Sequence, residues 1–458
     1  MNLSEEELKK KASELSIKEG SFYSIMDGMG LRYITPFALA LGASNKQIGF
    51  LTSLPSMIGN FSKIFTPRYM EKTSRKKIIV YGTLLQALMW LVLLLIGYFY
   101  FSGKISGSAA VLVIIAYTLL ILFGAFTSPA WSSWMKDIVT VNSGKYFGRR
   151  SKITGFIALL AMLIGGFILD YFNKSQVFIG FVILFVFAFF GRFVSSMIFR
   201  KKYEPKLHLE QGYYFSFGQF LRKMPNNFGN FVIFLTMVQL ATAIASPFFT
   251  VYMLKDLGFG YVSWILVNMI APLVTLVFLT GWGKFADKYG NLRVMRICGF
   301  LTPLIPLFYL FSIWLIPFGH YAVLIYLIAV EAFSGFAWAG FNLSSSNFIY
   351  DAVTRERMAL CVAYSDILNG IGIFLGATLG GFISGSNFII FGLTPILFVF
   401  LISFVARFLA ATIFLPRIKE VRDVEKFDIK GGKKILMDIG IGRIAKQIDM
   451  VSKPGNTD

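Results

Sequence analysis

The sequence predicts an all-α integral membrane protein in which twelve transmembrane helices form two six-helix halves. Three observations lead to this prediction: an apolar composition, apolar runs long enough to cross a bilayer, and sequence matches that recur at a nearly constant spacing. Of the 458 residues, 56% are hydrophobic and 15% are charged, and the mean hydropathy is +0.67. A water-soluble protein of this composition would lack the polar residues needed to cover its surface, so lipid is predicted as the solvent.

The N-terminal segment is polar and reads LSEEELKKK from Leu3. Ser4 followed by Glu7 fits a capping box, which predicts a short cytosolic helix over residues 1–14. The first apolar run is too long and too far from the N-terminus for a cleavable signal peptide. It is therefore predicted to be the first membrane span.

Apolar runs of roughly 20 residues recur along the chain, and each is about long enough to cross a ~30 Å hydrocarbon core as a helix. Short loops separate them, and the alternating segments of about 10 residues that a transmembrane barrel needs are not found in the sequence. The twelve runs are centred near Phe37, Ser56, Leu91, Leu119, Met162, Phe187, Val238, Asn268, Leu304, Phe333, Phe374 and Phe400.

Basic residues are concentrated in alternate loops, and the net charge of the chain is +20. One set of loops contains RYMEKTSRKK, GKYFGRRSK, RKKYEPK and ADKYGNLRVMR, whereas the other set holds only Lys46, Lys104, Lys174 and Lys255 as basic residues. Because basic loops resist translocation, this asymmetry predicts a multi-pass protein of the cytoplasmic (cell) membrane with both termini in the cytosol. The positive charge is therefore explained by cytosolic loops that face the lipid headgroups, and no nucleic-acid partner is predicted.

Sequence matches recur in the same order at nearly one offset, which predicts a duplicated fold. RFVSSMIF from Arg192 returns as RFLAATIF from Arg407, and GGFI from Gly165 returns from Gly380 at the same spacing. DIVT returns as DAVT, and one Pro-Phe pair returns as another, at slightly shorter spacings. Two copies of six helices with equal orientation are related by an axis along the membrane normal and enclose a cavity.

The domain bounds follow from this repeat. Residues 15–199 are predicted to form the N-terminal half and residues 227–415 the C-terminal half, with a basic cytosolic linker over residues 200–226. The basic tail, residues 416–458, contains KKILMDIGIGRIAKQI. This segment fits either an amphipathic helix on the inner leaflet or a disordered tail.

A charged loop between the eighth and ninth spans carries a family resemblance. It reads GKFADKYGNLR, in which Gly283, Asp287, Lys288, Gly290 and Arg293 resemble the pattern G-x-x-x-D-R/K-x-G-R/N-x-R/K of the major facilitator superfamily. The resemblance implies a twelve-helix, MFS-like secondary transporter over residues ~15 to ~416, in which such a loop latches the inner gate. The alternative is a basic loop that only sets topology. Neither the dinucleotide fingerprint nor the P-loop pattern is present in this stretch.

The same loop occurs in a degraded copy at the corresponding place in the first half. It reads PRYMEKTSRKK, with Glu71 in place of the aspartate, Ser74 in place of the second glycine and Arg75 immediately after it. In the better copy, Gly283 is expected to allow close helix approach and Gly290 to supply a positive φ. Asp287 is expected to accept hydrogen bonds from a helix N-terminus. Residues Glu71 and Arg75 are assigned to the gating loops with them.

Carboxylates inside membrane spans are the candidates for proton coupling, because a charge in hydrocarbon is costly. They are Asp27 in the first span, Glu331 in the tenth and Asp366 in the eleventh. Asp27 lies about nine residues from the cytosolic entry of its helix, or roughly 13 Å at 1.5 Å per residue. Desolvation of such a carboxylate favours its protonated form, whereas the alternative is a static pair with Arg32 or another basic residue.

The first, fourth, seventh and tenth spans line the cavity in the family that the chain resembles. This implies a set of substrate-cavity candidates in which aromatic rings and amides could bind a small molecule, although packing or interfacial roles remain open for the aromatic residues. The candidates are Tyr23, Arg32, Trp131, Trp134, Gln239, Trp338 and Asn342.

Two further features bear on function. The fifth span has Ala161-Met162-x-x-Gly165-Gly166 where drug-proton antiporters of the family tend to show G-P-x-x-G-G, so an efflux function does not follow. The chain has two cysteines and two histidines, with no metal or catalytic pattern, so no cofactor, metal or enzyme activity is predicted.

The predicted function is transport of a small-molecule substrate by alternating access, coupled to protons, in a monomer surrounded by membrane lipids. The alternatives are a non-transporting membrane receptor or a lipid-handling scaffold, and then an integral-membrane enzyme. A receptor or scaffold would need no coupling ion.

Overall fold

A computed structural model describes residues 4–172, 176–205, 216–224, 226–390 and 392–425. The chain in these ranges is almost entirely helical, and its only β pairing is an isolated bridge between Ile390 and Leu393. The predicted tail beyond residue 425 and much of the predicted linker lie outside the described residues.

Sixteen α-helices are found in the described ranges. They are α1 (Glu5–Met29), α2 (Ile34–Ala40), α3 (Asn45–Ser62), α4 (Phe65–Met70), α5 (Arg75–Phe101), α6 (Ala109–Ile138), α7 (Ser143–Phe172), α8 (Val177–Lys201), α9 (Phe217–Arg222), α10 (Asn227–Val251), α11 (Tyr261–Tyr289), α12 (Asn291–Leu301), α13 (Leu304–Phe311), α14 (His320–Ala352), α15 (Arg355–Ser384) and α16 (Pro395–Phe414). A π-helical turn, Tyr252–Asp256, extends α10, and 3-10 turns occupy Leu31–Tyr33, Ser312–Phe318 and Leu415–Arg417.

Ten helical segments in the described ranges are long and apolar enough to cross a membrane. They are Arg75–Phe101, Ala109–Ile138, Ser143–Phe172, Val177–Lys201, Asn227–Asp256, Tyr261–Tyr289, Asn291–Phe318, His320–Ala352, Leu360–Ser384 and Pro395–Arg417. They coincide with the predicted third to twelfth spans. The predicted first and second spans correspond to α1 with α2 and to α3, which carry more polar residues.

The first helix is longer than the sequence suggested. The capping box is confirmed, because the Ser4 hydroxyl accepts from the Glu7 amide and the Glu7 carboxylate accepts from the Ser4 amide. The helix does not stop at residue 14 but continues to Met29, and it ends at a 3-10 turn, Leu31–Tyr33. Gly30 is required at this break, because a β-carbon there would lie 2.5 Å from the Trp90 ring.

The chain divides into two compact units. The first comprises Met1–Gly212, Thr242–Ile265 and Asp366–Val399. In it, α1 packs against α7 and α8, α5 packs against α6 and α8, and α3 packs against α6. These units are not identical with the predicted halves, because two segments of the predicted C-terminal half pack within the first unit.

The second unit comprises Tyr213–Ala241, Leu266–Ser365 and Phe400–Asp458. Its helices α12 and α14 pack closely, and Gly340 of α14 makes room for the Trp282 ring and the Cys298 sulfur, to which a β-carbon would come within 2.8 and 2.5 Å. Small residues allow such close helix approach.

Candidate functional site

Asp27 and Arg32 form an ion pair at the point where the first helix breaks. The Asp27 Oδ2 atom lies 3.6 Å from the nearest guanidinium nitrogen of Arg32. This distance is longer than a hydrogen bond, and the side chains are 23% and 53% exposed respectively. The pairing is the alternative considered for Asp27 in the sequence, but its loose geometry leaves both groups accessible.

Two tyrosines and a cavity accompany this pair. Tyr23 lies one helical turn before Asp27 and presents its ring to the Arg192 guanidinium, 5.0 Å from the ring centroid. Tyr117 of α6 is close enough to interact electrostatically with Asp27 and Arg32. Tyr117 also lines a cavity of about 230 Å³ with Leu31 and Thr35, on either side of Arg32 in the chain.

Glu331 is placed differently, inside the second unit. Its carboxylate accepts a hydrogen bond of 2.7 Å from the Tyr309 hydroxyl. Arg407 is buried and close enough to interact electrostatically with Glu331, while it donates to Ser403 and to the Thr302 carbonyl. The third coupling candidate, Asp366, is paired with Lys63 at 2.9 Å.

Trp131 belongs to a buried network centred on Glu19, a residue that the sequence analysis did not single out. Glu19 is 2% exposed and accepts from Arg150 at 3.0 Å and from the Trp131 indole at 3.3 Å. The Arg150 guanidinium also lies 4.8 Å from the Trp131 ring centroid. Helical spacing could have indicated Glu19, because it lies four and eight residues before Tyr23 and Asp27 on one face of α1.

The other cavity candidates are distributed over several environments. Trp134 is fully buried, donates to the Tyr203 carbonyl at 2.9 Å and packs under the Lys202 ammonium. Trp338 is half-buried against Phe341. Gln239 is half-buried and Asn342 is exposed. Tyr23, Asp27 and Arg32 are therefore the predicted site residues that the first unit brings together.

In the better loop copy, Gly290 has the predicted conformation. Its φ is +94°, and a β-carbon there would collide with the Glu420 carboxylate. Gly283 lies within α11, where a β-carbon would meet Leu343 at an ordinary 3.7 Å. Arg293 is half-buried near the start of α12.

The charged residues of this loop face the start of the tail. Asp287 is 77% exposed and lies 3.9 Å from Arg422, while Lys288 lies 3.6 Å from Glu425. Arg422 also lies 3.4 Å from Asp351. In this structure the loop is thus joined by ion pairs to residues that follow the last span.

In the first loop copy, Arg75 is fully buried while Glu71 is exposed. The Arg75 guanidinium donates to Asp137 at 2.6 Å and to the Pro205 carbonyl at 2.9 Å. Glu204 lies 3.6 Å away and accepts from the Lys76 amide. A buried charge of this kind needs such partners.

Equivalent contacts recur in the second copy of the repeat. Asn291 donates to Asp351 at 2.7 Å, and the corresponding contact in the first copy joins Arg75 to Asp137. The Leu292 amide donates to Glu420 at 2.8 Å, and the corresponding contact in the first copy joins the Lys76 amide to Glu204. All four residues follow their counterparts at nearly the offset of the sequence repeat.

The duplicated arginines show the same recurrence. Arg192 donates to Gln86 of α5 at 2.6 Å, and Arg407 donates at 3.0 Å to the carbonyl of Thr302, which follows Gln86 at nearly the same offset. Both guanidinium groups are buried. They are thus held inside the protein rather than extended toward the lipid headgroups.

Comparisons with known proteins identify the family. The Major Facilitator Superfamily model matches residues 20–317 and 231–439. Multidrug resistance protein 2 of Bacillus subtilis (strain 168) is 23% identical over 294 residues, which are 59% of this chain and 66% of that protein. The match therefore spans slightly less than two thirds of that relative.

Solved transporter structures share the fold. A mutant of the nucleoside transporter NupG aligns with a TM-score of 0.66 at 14% identity, over 90% of this chain and 100% of that one. A bacterial homologue of the iron transporter ferroportin in an inward-facing state aligns with a TM-score of 0.65 at 11% identity, over 90% and 99%. The match to the family model over most of its length shows that the chain belongs to the Major Facilitator Superfamily, and with its apolar helices it is a multi-pass membrane protein.

Proposed function

We propose that this protein moves a small solute across the cytoplasmic membrane by alternating access, driven by proton movement, as a monomer with both termini in the cytosol. In this proposal α1 with α2, and α3, are the first two of twelve membrane helices. Residues 15–199 and 227–415 are two parallel halves joined by the linker at residues 200–226. The polar residues of the first two helices would then lie along the transport path.

The recurring contacts support the duplicated architecture. Arg192 donates to the Gln86 side chain and Arg407 to the Thr302 backbone carbonyl, from the sixth predicted span to the third and from the twelfth to the ninth. The partners differ in type, but each arginine contacts a residue at the corresponding position of its own half, as a duplicated fold predicts. Rocking of two such halves about a site between them is the expected motion.

The observation that carries the proton-coupling proposal is the accessible pair of Asp27 and Arg32. Asp27 is 3.6 Å from the guanidinium and 23% exposed, so no direct hydrogen bond ties it to Arg32. Glu331 remains the second candidate, because it is held by a tyrosine hydroxyl rather than by a direct salt bridge among the described contacts. Asp366 is third, since Lys63 holds it at 2.9 Å.

The test is uptake into liposomes reconstituted with the full chain. The solute panel includes drugs, nucleosides, iron, sugars and organic anions, of which the first three are suggested by the names of the relatives. We expect one class to accumulate against its gradient when a pH gradient is imposed, and Asp27→Asn to abolish the uphill component while exchange persists. Glu6→Gln, an exposed carboxylate near the start of α1, is the matched control and should behave as the unmodified protein.

Two results would contradict the proposal. Uphill transport by both Asp27→Asn and Glu331→Gln would exclude these carboxylates as the coupling groups. Binding of a panel solute without any gradient-driven uptake would instead favour the receptor.

A further inference from the structure

A cavity of about 290 Å³ lies beside the linker helix α9, and all the residues that line it belong to the second unit. Aromatic contacts hold α9 in place. The Phe220 ring centroid lies 5.4 Å from that of Tyr364 in α15 and 6.4 Å from that of Phe228 in α10. Val353 and Thr354, in the turn between α14 and α15, complete the lining. The walls of the cavity are therefore parts of helices that pack against one another.

The cavity has a polar rim and an apolar floor. Its polar lining residues are exposed, and they are Lys223, Asn226, Thr354 and Arg357. In contrast, Phe220 and Cys361 are only 6% and 7% exposed, and Met224 and Phe228 are half-buried. This arrangement fits a ligand that is charged at one end and apolar at the other.

The charged side chains that line the described cavity are both basic, namely Lys223 and Arg357. The Arg357 guanidinium is close enough to the Cys361 thiol to interact with it electrostatically. Asp351 precedes the lining residue Ala352 in the chain, but its carboxylate accepts from Asn291 at 2.7 Å and lies 3.4 Å from Arg422. The rim therefore favours an anion.

The cavity lies at the ends of three helical segments that are long enough to cross a membrane. Ala352 is the last residue of one such segment, His320–Ala352. Phe228 and Cys361 are each the second residue of another. The ends of membrane helices lie at the level of the lipid headgroups, where basic pockets attract anionic phospholipids.

We propose that this cavity is a binding site for the headgroup of an anionic phospholipid. The lipid phosphate accepts hydrogen bonds from Lys223 and Arg357, which are strong donors to phosphate, and the glycerol end of the lipid contacts Phe220 and Phe228. The bound lipid joins the end of α9 to the first turn of α15. This inference goes beyond transport and rests only on the proposed topology, in which the three helix ends face the cytosol.

Calorimetric titration of the purified full-length protein in detergent tests the site. The probes are short-chain phosphatidylglycerol, short-chain phosphatidylcholine as its zwitterionic counterpart, and glycerol phosphate as a soluble phosphate ester. We expect phosphatidylglycerol to bind saturably and the other two to bind at least about tenfold more weakly. Phosphatidylglycerol should also cover the Cys361 thiol and slow its reaction with N-ethylmaleimide several-fold, as measured by peptide mass spectrometry. An unchanged rate would place the lipid outside the cavity.

Three variants locate the binding charges. Lys223→Gln and Arg357→Gln should each weaken phosphatidylglycerol binding about fivefold, which corresponds to ~1 kcal/mol for one basic residue near the membrane surface. Arg222→Gln is the matched control, because Arg222 is exposed beside Lys223 at the end of α9 but does not line the cavity. It should bind as the unmodified protein does. If Arg357→Gln does not fold, the exposed Lys223 keeps the test decisive.

Three results would overturn the inference. Equal binding of phosphatidylcholine would show that the cavity does not select an anionic headgroup. Equal weakening by Arg222→Gln and Lys223→Gln would assign the binding to diffuse surface charge. Equally tight binding of glycerol phosphate would assign the cavity to a soluble phosphate ester. Absence of gradient-driven uptake in liposomes, with lipid binding intact, would contradict the proposed function and leave this site in place.

Discussion

The carboxylate of Asp170, in the last turn of α7, accepts hydrogen bonds from the backbone amides of Tyr261 at 2.6 Å and Val262 at 2.9 Å. These amides lie at the start of α11. Gly260 comes just before them, and a β-carbon at this position would lie only 3.1 Å from the Asp170 carboxylate. An aspartate at a helix N-terminus is stabilised by free amides and by the helix dipole. Under the proposed topology this contact joins the two halves at their outer ends.

We therefore expect Asp170→Asn to open the predicted outer end more often. The amide keeps the size of the side chain but loses the charge and one acceptor, which weakens both hydrogen bonds. A cysteine at Lys255, which lines a cavity with Tyr261, should then react several-fold faster with a membrane-impermeant maleimide. The native Cys298 and Cys361 are buried. Asp256→Asn removes an exposed carboxylate near the end of α10 and is the control. Equal labelling rates in the two variants would show that Asp170 does not hold the outer end closed.

The second prediction concerns the buried pair of Glu19 and Arg150. Glu19→Gln leaves the Arg150 guanidinium, 18% exposed, without its carboxylate, and breaking such a buried pair costs about 3–5 kcal/mol. Thermal unfolding in detergent should therefore occur at a clearly lower temperature. Glu5→Gln breaks the surface pair with Lys9 on the same helix and should cost less than about 1 kcal/mol. Equal unfolding temperatures for the two variants would show that the buried pair is not stabilising.

The third prediction compares Gly28, at the contact of α1 with α7, with Gly155 of α7, which faces open space. A β-carbon at Gly28 would lie 2.5 Å from the Ala158 carbonyl and 2.7 Å from the Ala161 side chain, whereas a β-carbon at Gly155 would meet no atom within 4 Å. Gly28→Ala should separate the helices and lower the unfolding temperature, since backbone cannot move aside as a flexible side chain can. Gly155→Ala should leave it unchanged or raise it. The reverse order would contradict the observed packing.

The fourth prediction concerns Lys202, the first residue after α8. It is fully buried, with its ammonium 2.9 Å from the Met135 sulfur and 4.8 Å from the Trp134 ring centroid. Desolvation lowers the pKa of Lys202 from 10.5 to about 8. The negative charge of Glu19 raises this pKa in part, and the positive charge of Arg150 lowers it slightly further. Between these two pH values the unfolded chain holds a proton that the folded chain has released. Stability therefore rises with pH across this window.

Because Lys202 destabilises the folded protein most at low pH, the effect of Lys202→Met on stability should depend on pH. Below about pH 8 the folded protein must keep a charged lysine out of water, so the methionine variant should unfold at the higher temperature. As the pH rises toward 10.5, the advantage of the variant should shrink, at about 1.4 kcal/mol for each unit of pKa shift. The difference in unfolding temperature between the two proteins is measured at pH 7 and pH 9.5. A difference that does not change with pH would contradict the lowered pKa.

The spans could be predicted where composition alone decides. The runs that became α5 to α8 and α10 to α16 are apolar over about the length that a bilayer requires, and no partner is needed to recognise them. The first two spans were harder to judge. Asp27 and Arg32 interrupt the first, and α3 begins with Asn45, Lys46 and Gln47.

The candidate site could be predicted only in part. The turn at Gly290 follows from local sequence, because a positive φ is a local property. The depth of Asp27 in the membrane stays a prediction. The partners of Glu19, Asp366 and Asp170 are 131, 303 and 91 residues away. No local pattern marks such pairs.

The sequence by itself determined that this chain is a membrane protein of the major facilitator superfamily, with basic loops and an internal repeat, because hydrophobic length, charge placement and duplication are all written along the chain. Only the tertiary structure decided which buried charges are neutralised and by which residues. Helices that are far apart in sequence must first pack side by side before a carboxylate on one can reach a guanidinium, an ammonium or a free amide on another. For this reason Asp27 remains loosely paired and accessible, whereas Glu19 is enclosed.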